Sequence, residues 1–292
     1  MLEFLSQLSS GLLPTRHRDI PVGRFDVSTG RWIDIDIDAT GAVDRDELTV
    51  ATFNIWFADY YAEQRYVAIA ELLARNKPDV MVFQEVTPRA LAVFLAQPWI
   101  RAHYLRAAIV GGDLGNYGML LLSQLPVKRV RYTRLPTQLS RGLLTAEFTI
   151  NGSTEVIGSV HLESGKAASK LRERQLGRIF WTLRRSESVL LLGDFNMRDA
   201  ENDRIEAPFR DLWPVLRPGD PGYTEDTSIN LMRYDSKNKH RQVRFDRVLL
   251  KGSRWLAADI ELLGTDPISA AHPRVFPSDH FGVQCRVSRN TQ

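Results

Sequence analysis

A chain of 292 residues with 43% apolar and 25% charged side chains fits one large domain or two small ones. Its single cysteine, Cys285, excludes an intrachain disulfide and indicates an intracellular protein, cytoplasmic in a prokaryote and nuclear or cytoplasmic in a eukaryote. No run approaches the roughly 18 apolar residues of a membrane span, and residues 1–13 lack the features of a signal peptide, so no membrane partner is expected. The net charge of +3 permits an anionic partner without requiring one.

The first 47 residues differ in pattern from the rest of the chain. Residues 24–27 and 31–37 alternate apolar and polar side chains around Ser28-Thr29-Gly30, which predicts a β-hairpin. Residues 39–47, with an acidic run at their end, indicate a short linker. We therefore expect residues 1–47 to form an N-terminal appendage on a catalytic domain of residues 48–292.

From residue 48 the chain reads as many strands and a few helices. Helices are predicted at 61–76, 88–96 and 166–185, and residues 215–242 are rich in loop formers. Strands are predicted at 48–55, 79–84, 117–122, 127–134, 143–150, 154–161, 188–194, 244–250, 256–263 and 281–288. The three between 127 and 161 follow one another closely and are expected to be antiparallel. This order predicts an α/β (α+β) fold, a four-layer α/β/β/α sandwich of two mainly antiparallel sheets flanked by helices.

Polar side chains follow several of these apolar strands. They are Asn54, Glu85, His161, Asp194 with Asn196, and Asp279 with His280. Side chains at strand ends project beneath loops, where active sites are usually built. Each also has a structural explanation when taken singly: a turn former for Asn54, an ion pair for Glu85, and a hydrogen-bonded core histidine for His161.

Two of these segments are more specific than the others. In Gly193-Asp194-Phe195-Asn196 the acid and the amide are two residues apart and project on the same side of an extended chain. An Asx turn at the strand end is the alternative explanation. In Ser278-Asp279-His280 the aspartate could ligate a metal or hold the imidazole, and a surface pair is the alternative.

The combination of these residues predicts more than each alone. Carboxylate and amide oxygens with histidines, and no usable thiol, suit Mg²⁺, with Mn²⁺ as an alternative. A metal, an amide and an imidazole together neutralise a phosphoryl oxygen while a carboxylate activates water. The chain has no Walker A loop, G-x-S-x-G, H-E-x-x-H or G-x-G-x-x-G. The residues therefore predict metal-assisted phosphoester hydrolysis.

The order of the motifs resembles the endonuclease/exonuclease/phosphatase superfamily across residues 48–289. The motifs are Thr52-Phe53-Asn54, Gln84-Glu85-Val86, Gly193-Asp194-Phe195-Asn196 and Ser278-Asp279-His280. Finer segments are similar to the tyrosyl-DNA phosphodiesterase 2 subfamily: His161-Leu162-Glu163-Ser164, Gly193 through Asp199, Arg244-Phe245-Asp246-Arg247, and Phe276 through Gly282. This resemblance implies a monomeric DNA-repair enzyme whose partner is DNA with a 5′-tyrosyl or other 5′ adduct, as left by a trapped topoisomerase II-type enzyme.

The resemblance also implies residue roles. The metal, Mg²⁺ or Mn²⁺, would be held by Glu85 with Asn54 and Asp279, and Asp279 could instead support His280. Asp194 would orient or deprotonate the attacking water. Catalytic contacts to the phosphoryl oxygens would come from Asn196, His161 and His280. The substrate would be bound by Ser164, Lys166, Arg198, Tyr117, Tyr223 and Arg247.

Two departures from the subfamily bear on the substrate. Glu225 stands where vertebrate relatives carry an aromatic residue, and an acid in the wall of a DNA groove would repel phosphate. Lys166 stands where the family has an arginine, which keeps the charge but loses bidentate geometry. Other substrates stay open: an abasic site, a 3′ DNA end or a small phosphoester. A catalytically inactive nucleic-acid-binding scaffold is a further alternative, against which the intact set of polar residues argues.

Overall fold

The computed structural model describes residues 17–37 and 41–291. Its strands are β1 His17–Asp19, β2 Gly23–Asp26, β3 Arg31–Asp34, β4 Glu47–Asn54, β5 Val80–Val86, β6 Leu105–Ile109, β7 Gly118–Ser123, β8 Arg129–Arg134, β9 Gly142–Ile150, β10 Ser153–His161, β11 Val189–Asp194, β12 Phe209–Asp211, β13 Glu225–Asp226, β14 Gln242–Val243, β15 Asp246–Lys251, β16 Trp255–Leu263 and β17 Gly282–Arg289. Its helices are α1 Ala62–Asn76, α2 Pro88–Ala96, α3 Pro98–His103, α4 Ser169–Leu183, α5 Leu212–Leu216 and α6 Leu231–Lys237. Short 3₁₀ turns cover Gly112–Leu114, Lys166–Ala168 and Asp199–Arg204.

Two large sheets pack face to face. One has seven strands in the order β1-β8-β9-β10-β11-β15-β12, and the other has eight in the order β16-β17-β4-β5-β7-β6-β2-β3. Apolar side chains from both sheets form the central core, α1 and α2 cover the outer face of the eight-stranded sheet, and α4 covers that of the seven-stranded sheet. The predicted α/β/β/α sandwich of mainly antiparallel sheets is therefore confirmed.

The sequence of β11 shows why a central strand is apolar throughout. Leu190 and Leu192 join the core between the sheets, whereas Val189 and Leu191 join the core beneath α4. Because successive side chains of a strand point to opposite faces, a strand that is covered on both faces needs apolar residues at every position. The continuous run at 189–192 follows from this double burial.

Most strand pairs are antiparallel, but two parallel pairs position the functional residues. In the eight-stranded sheet β4 is parallel to β5, and Asn54 lies opposite Gln84. In the seven-stranded sheet β10 is parallel to β11, and His161 lies opposite Asp194. The carboxyl ends of parallel neighbours meet at the same edge of a sheet. Both pairs end at the same edge of the sandwich, which collects their polar side chains there.

The expected elements are found with small shifts, and α3, β6, β12 and α5 are present in addition to them. The region 215–242 is also more ordered than predicted. The helix expected at 166–185 begins as a 3₁₀ turn and is an α-helix over Ser169–Leu183. The predicted loop at 215–242 contains α6 and the two-stranded β13-β14 ribbon. Both elements are too short for a periodic sequence pattern to reveal. Among the described helices, none has the length and apolar character needed to cross a membrane.

The described residues before β4 extend both sheets. The predicted hairpin is confirmed as β2 and β3, and β2 joins β6 through the pair Gly23 and Arg106. Strand β1 pairs with β8 at the edge of the other sheet. The expectation for residues 1–13, and part of the predicted linker, lie outside the described residues. The boundary at residue 47 stays a prediction.

Gly193 allows β10 and β11 to approach each other at the functional edge. Its φ is +133°, and a Cβ placed there would lie 2.1 Å from the carbonyl oxygen of Val160. We expect Gly193→Ala to lower the free energy of unfolding by about 2–4 kcal/mol, measured by urea denaturation. The matched control is Gly177→Ala on α4, where a Cβ would meet nothing within 4 Å and stability should rise by about 0.5–1 kcal/mol. An unchanged denaturation midpoint for Gly193→Ala would contradict the steric argument.

Candidate active site

The polar residues predicted from the strand ends lie together in one pocket at the edge of the sandwich. They are Asn54, Glu85, His161, Asp194, Asn196, Asp279 and His280. All are buried except Glu85, which is partly exposed. Such a concentration of buried polar groups is stable only when hydrogen bonds and opposite charges compensate the loss of hydration.

Glu85 reaches the pocket because β5 is interrupted by a β-bulge. The pairing of β5 with β7 shifts register between Gln84 and Val86, and Glu85 has a φ of 61°. Regular alternation would have turned Glu85 to the helix-covered side, as it does Phe83. Left-handed backbone at a glutamate is strained, and strain of this kind is concentrated at functional sites. The backbone N–H of Phe57 donates to Glu85 Oε2 at 3.1 Å.

Gln84, unlike its neighbour Glu85, has a structural role. Its Nε2 donates to Thr52 Oγ1 at 3.0 Å and to Ser159 Oγ at 3.1 Å. Thr52 belongs to the eight-stranded sheet and Ser159 to the seven-stranded sheet. The buried amide therefore links the two sheets directly below the pocket and fixes the distance between their functional ends.

Asp194 is held by donors on both oxygens. The backbone N–H of Asn196 donates to Oδ1 at 2.8 Å, and Oδ2 accepts from Asn54 Nδ2 and Asn196 Nδ2, both at 3.1 Å. The second hydrogen of the Asn196 amide goes to the carbonyl of Leu162 at 3.1 Å. Asn196 thus orients Asp194 and has no side-chain hydrogen left for the phosphoryl contact predicted from the sequence. Burial, opposed by His280, raises the pKa of Asp194 to about 7.

His280 is bound by Asp246, a residue to which the sequence analysis assigned no role. His280 Nδ1 lies 2.8 Å from Asp246 Oδ2. Burial lowers the pKa of His280, but the carboxylates of Asp246, Asp194 and Asp279 outweigh this and raise it well above its ordinary value. His280 is therefore a cation that is stabilised by Asp246. Asp246 makes the hydrogen bond to the imidazole, whereas Asp279 supports it through its charge and also lies 3.7 Å from Arg233.

His161 has the opposite protonation state. Arg141 Nη1 lies 2.7 Å from His161 Nδ1 and can only donate, so Nδ1 accepts and Nε2 carries the hydrogen. Burial, Arg141 and His280 all lower the pKa of His161 well below its ordinary value. The Nε2–H lies 3.4 Å from Asp194 Oδ2 and 3.8 Å from Glu85 Oε1. The pocket therefore contains one neutral and one cationic imidazole.

The donor set fits a divalent cation. Burial raises the pKa of Glu85, and the nearby charge of Asp279 raises it further. Burial likewise raises the pKa of Asp279. Two carboxylates that repel each other in a poorly hydrated pocket are stabilised by a hard cation between them. One ligand atom each of Asp194, Asp246 and His280 also lies within 4.8 Å of the others, as metal ligands do, and a hydrogen bond joins two of these residues, His280 and Asp246.

Arg65 fixes the loop that follows β4 and borders the pocket. Its fully buried guanidinium donates to five carbonyl oxygens at 2.7–3.2 Å, those of Ile55, Trp56, Ala58, Tyr60 and Pro277. Arginine is the only side chain with five N–H donors in a planar group, so no other side chain could make this set of bonds. Its charge also lies close enough to Asp279 and Glu85 to interact with both.

Five of the six residues predicted to bind substrate have exposed or partly exposed side chains. Ser164 and Lys166 are exposed on the segment after β10. Tyr117 stacks on His161, with ring centroids 6.1 Å apart, and accepts a hydrogen bond from Arg141. Arg198 lies over the ring of Phe245 at 5.8 Å. Tyr223 is half-buried just before β13.

Two expectations about residues near the bound substrate are wrong. Arg247 is buried and its Nη1 bonds Asp211 Oδ2 at 2.7 Å, so its guanidinium is turned away from the pocket and serves the fold. Glu225 does not form a groove wall, because it is buried and paired with Arg233 at 3.0 Å and Arg241 at 3.2 Å. An internal carboxylate neutralised by two arginines does not repel a phosphate at the surface.

The sequence analysis missed three residues that shape the pocket or hold its side chains. Asp246 stands in a segment, Arg244 to Arg247, whose resemblance was noted, so a signal existed. Arg141 follows a loop without any motif, and it reaches His161 only because Gly142 pairs with His161 across β9 and β10. Arg65 reads as one of the polar positions of an amphipathic helix. Only the three-dimensional structure shows it pointing inward.

Comparisons with known proteins show which family and which proteins the chain resembles. The family model described as "Endonuclease/Exonuclease/phosphatase family" matches residues 51–280. Tyrosyl-DNA phosphodiesterase 2 of Gallus gallus is 30% identical over 240 residues, covering 77% of this chain. The protein of the same name from Xenopus laevis is 30% identical over 256 residues, covering 80% of this chain. The chain matches only 62% and 65% of the lengths of these relatives.

Solved structures show the same fold. The crystal structure of Danio rerio TDP2 complexed with single strand DNA product has a TM-score of 0.72 and 25% identity, covering 84% of this chain and 100% of that one. The crystal structure of truncated Caenorhabditis elegans TDP2 has a TM-score of 0.71 and 24% identity, covering 83% of this chain and 97% of that one. The second likeness concerns the fold alone.

Proposed function

Because the chain belongs to the Endonuclease/Exonuclease/phosphatase family, we propose that it is a Mg²⁺-dependent phosphodiesterase that hydrolyses the bond between a DNA 5′-phosphate and a tyrosine side chain. The observation that carries the proposal is the convergence of Asp194, neutral His161 and cationic His280 on one pocket beside Glu85. The tyrosyl-DNA substrate is supported by the similarity to proteins named tyrosyl-DNA phosphodiesterase 2.

The metal would be held by oxygen ligands on the side of the pocket formed by the eight-stranded sheet. Glu85 is the principal ligand in this proposal, with Asp279 and the side-chain oxygen of Asn54 beside it. Bound Mg²⁺ would neutralise a phosphoryl oxygen of the substrate. Manganese has the same preference for oxygen ligands and would serve as a substitute.

Asp194 is placed to accept a proton from the attacking water. Its fixed orientation and a pKa of about 7 suit a general base that works near neutral pH. The water oxygen forms a bond to phosphorus, its proton passes to Asp194, and the bond from phosphorus to the tyrosine oxygen breaks. The tyrosine leaves as a phenolate, whose conjugate acid has a pKa of about 10, so it needs less protonation than an alkoxide.

The two imidazoles stabilise the charge that develops on the phosphoryl oxygens. Cationic His280 offers its Nε2–H and a positive charge, which Asp246 keeps in place. Neutral His161 offers its Nε2–H, in an orientation fixed by Arg141. Donors that are already oriented need no rearrangement during the reaction, and one such donor is worth about a hundredfold or more in rate.

The DNA strand would leave the pocket on the side of the seven-stranded sheet. Ser164, Lys166 and Arg198 border the pocket there, and Lys170 and Arg174 continue an exposed row of cations along α4. Phosphate contacts of this kind position a nucleic acid without reading its sequence.

The substrate proposal is tested with matched oligonucleotides. We expect the 5′-tyrosyl DNA end to be cleaved faster than a 3′-tyrosyl end, an abasic duplex or p-nitrophenyl phosphate, and all cleavage to stop in EDTA and return with Mg²⁺. Asp194→Asn, which removes the base, is the inactive control for each substrate. Faster cleavage of the abasic duplex or the small ester would contradict the tyrosyl-DNA assignment. Cleavage of none would favour an inactive scaffold.

The role of Asp246 gives a separate prediction. We expect Asp246→Asn to lower kcat by about a hundredfold or more with little change in KM or melting temperature, because a neutral amide no longer stabilises the His280 cation. The control is Asp259→Asn, which removes a carboxylate paired with Arg217 at the exposed edge strand β16. If the two variants have the same kcat, Asp246 does not act through His280.

A further inference from the structure

A row of four aromatic side chains, three of them exposed and one partly buried, lies beside the pocket. We call Trp56, Phe57, Tyr60 and Tyr61 the aromatic ledge. Phe57 is 44% exposed, Tyr60 50% and Tyr61 36%, although all three stand within five consecutive positions. Large apolar side chains that are exposed together, rather than scattered, mark binding surfaces.

Ring contacts join both ends of the ledge to neighbouring residues, Tyr117 at one end and His272 at the other. Tyr117, which stacks on His161, stacks also on Phe57 with centroids 4.9 Å apart. Trp56, next in the chain, approaches Tyr60 at 6.5 Å. Tyr60 contacts Tyr61 at 4.8 Å, and Tyr61 contacts His272 at 5.0 Å.

The backbone of the ledge is rigid. Arg65 donates to the carbonyls of Trp56, Ala58 and Tyr60 within this short segment. Trp56 and Tyr61 have φ values of 56° and 47°, in the left-handed region that large side chains rarely adopt. A loop that is strained and held by several hydrogen bonds presents its rings in a fixed geometry. This reduces the conformational entropy that is lost when a ligand binds.

The ledge continues into a groove on the surface of the protein. The groove has a volume of about 560 Å³ and lies between α1 and the segment at 268–272. Its lining includes Val67, Ala68, Ile268 and His272. Because His272 also contacts Tyr61, the ledge and the groove form one surface that begins at the pocket.

The charge of this surface differs from that of the opposite side of the pocket. Asp59, Glu63 and Glu71 are exposed along the ledge and the groove, and Glu63 is paired with Arg89. On the other side, Lys166, Lys170 and Arg174 are exposed cations, with one exposed acid, Glu173, among them. A DNA strand is attracted to the cationic side and repelled from the acidic side.

We propose that the aromatic ledge and its groove bind the peptide that carries the adducted tyrosine. The inference rests on the proposed function, since that reaction has a DNA strand on one side of the scissile bond and a protein remnant on the other. The acidic, aromatic surface fits a peptide with apolar and basic side chains. The enzyme would then act on peptide-linked DNA ends more efficiently than on ends that carry tyrosine alone.

The test uses one oligonucleotide with two 5′ groups, a single tyrosine and a basic, apolar peptide of about ten residues joined through its tyrosine. We expect the native enzyme to show a kcat/KM about tenfold higher for the peptide adduct, and the double variant Phe57→Ala, Tyr60→Ala to bring this ratio close to one. Phe57→Tyr, which keeps an aromatic ring, should retain the preference. Trp181→Ala removes an equally exposed ring on α4, 44% exposed, and is the control that should leave the ratio unchanged.

Several outcomes would overturn the inference and leave the proposed function intact. These are equal rates for the two adducts in the native enzyme, an equal loss for both adducts in the double variant, and a loss that depends on oligonucleotide length rather than on the peptide. The last result would assign the ledge to the DNA. Failure to cleave either tyrosyl adduct would instead overturn the proposed function, and the inference with it.

Discussion

The burial of several carboxylates in one pocket is the constraint on which the rest of the structure depends. Glu85, Asp194, Asp246 and Asp279 are brought together where four strands end or begin, and burial raises the pKa of three of them, Glu85, Asp194 and Asp279. Like charges in a poorly hydrated site destabilise the fold unless donors and cations compensate them. Three features create this convergence: the two parallel strand pairs, the close contact at Gly193 and the bulge at Glu85. Each of them restricts the conformation of the backbone.

The compensation is specific to each carboxylate, and this specificity gives the groups their different roles. Asp194 accepts hydrogen bonds from two asparagine side chains and has a pKa of about 7, which suits the general base of the proposed reaction. Asp246 pairs with His280 and makes it a cation. Glu85 accepts a hydrogen bond from a backbone N–H, and burial and the repulsion of Asp279 raise its pKa although His280 and Arg141 oppose them, so a further cation would stabilise it. Pairs of titratable groups with opposite shifts are typical of acid–base catalysis.

Much of this arrangement could be predicted from the sequence, for physical reasons. The double burial of β11 leaves a continuous apolar run, and the abrupt change to Gly193-Asp194 marks its functional end. What could not be predicted depends on long-range geometry. Arg141 and Arg65 act through bonds to residues that only the folded chain brings near, and Glu225 resembles a surface acid until its two arginine partners are known. The α6 and β13-β14 elements depend on tertiary contacts because they are too short to have a pattern of their own.

The central claim is that the fold keeps Glu85 in an unfavourable position which a divalent cation relieves. The most direct test is the melting temperature of the native protein and of Glu85→Gln, each without metal and with Mg²⁺. We expect the metal-free variant to melt about 3–6 °C above the metal-free native protein, because it lacks the charge that Asp279 repels in a poorly hydrated pocket. Mg²⁺ at about 10 mM should raise the melting temperature of the native protein and leave that of the variant unchanged. A less stable metal-free variant, together with equal responses of both proteins to Mg²⁺, would contradict the account.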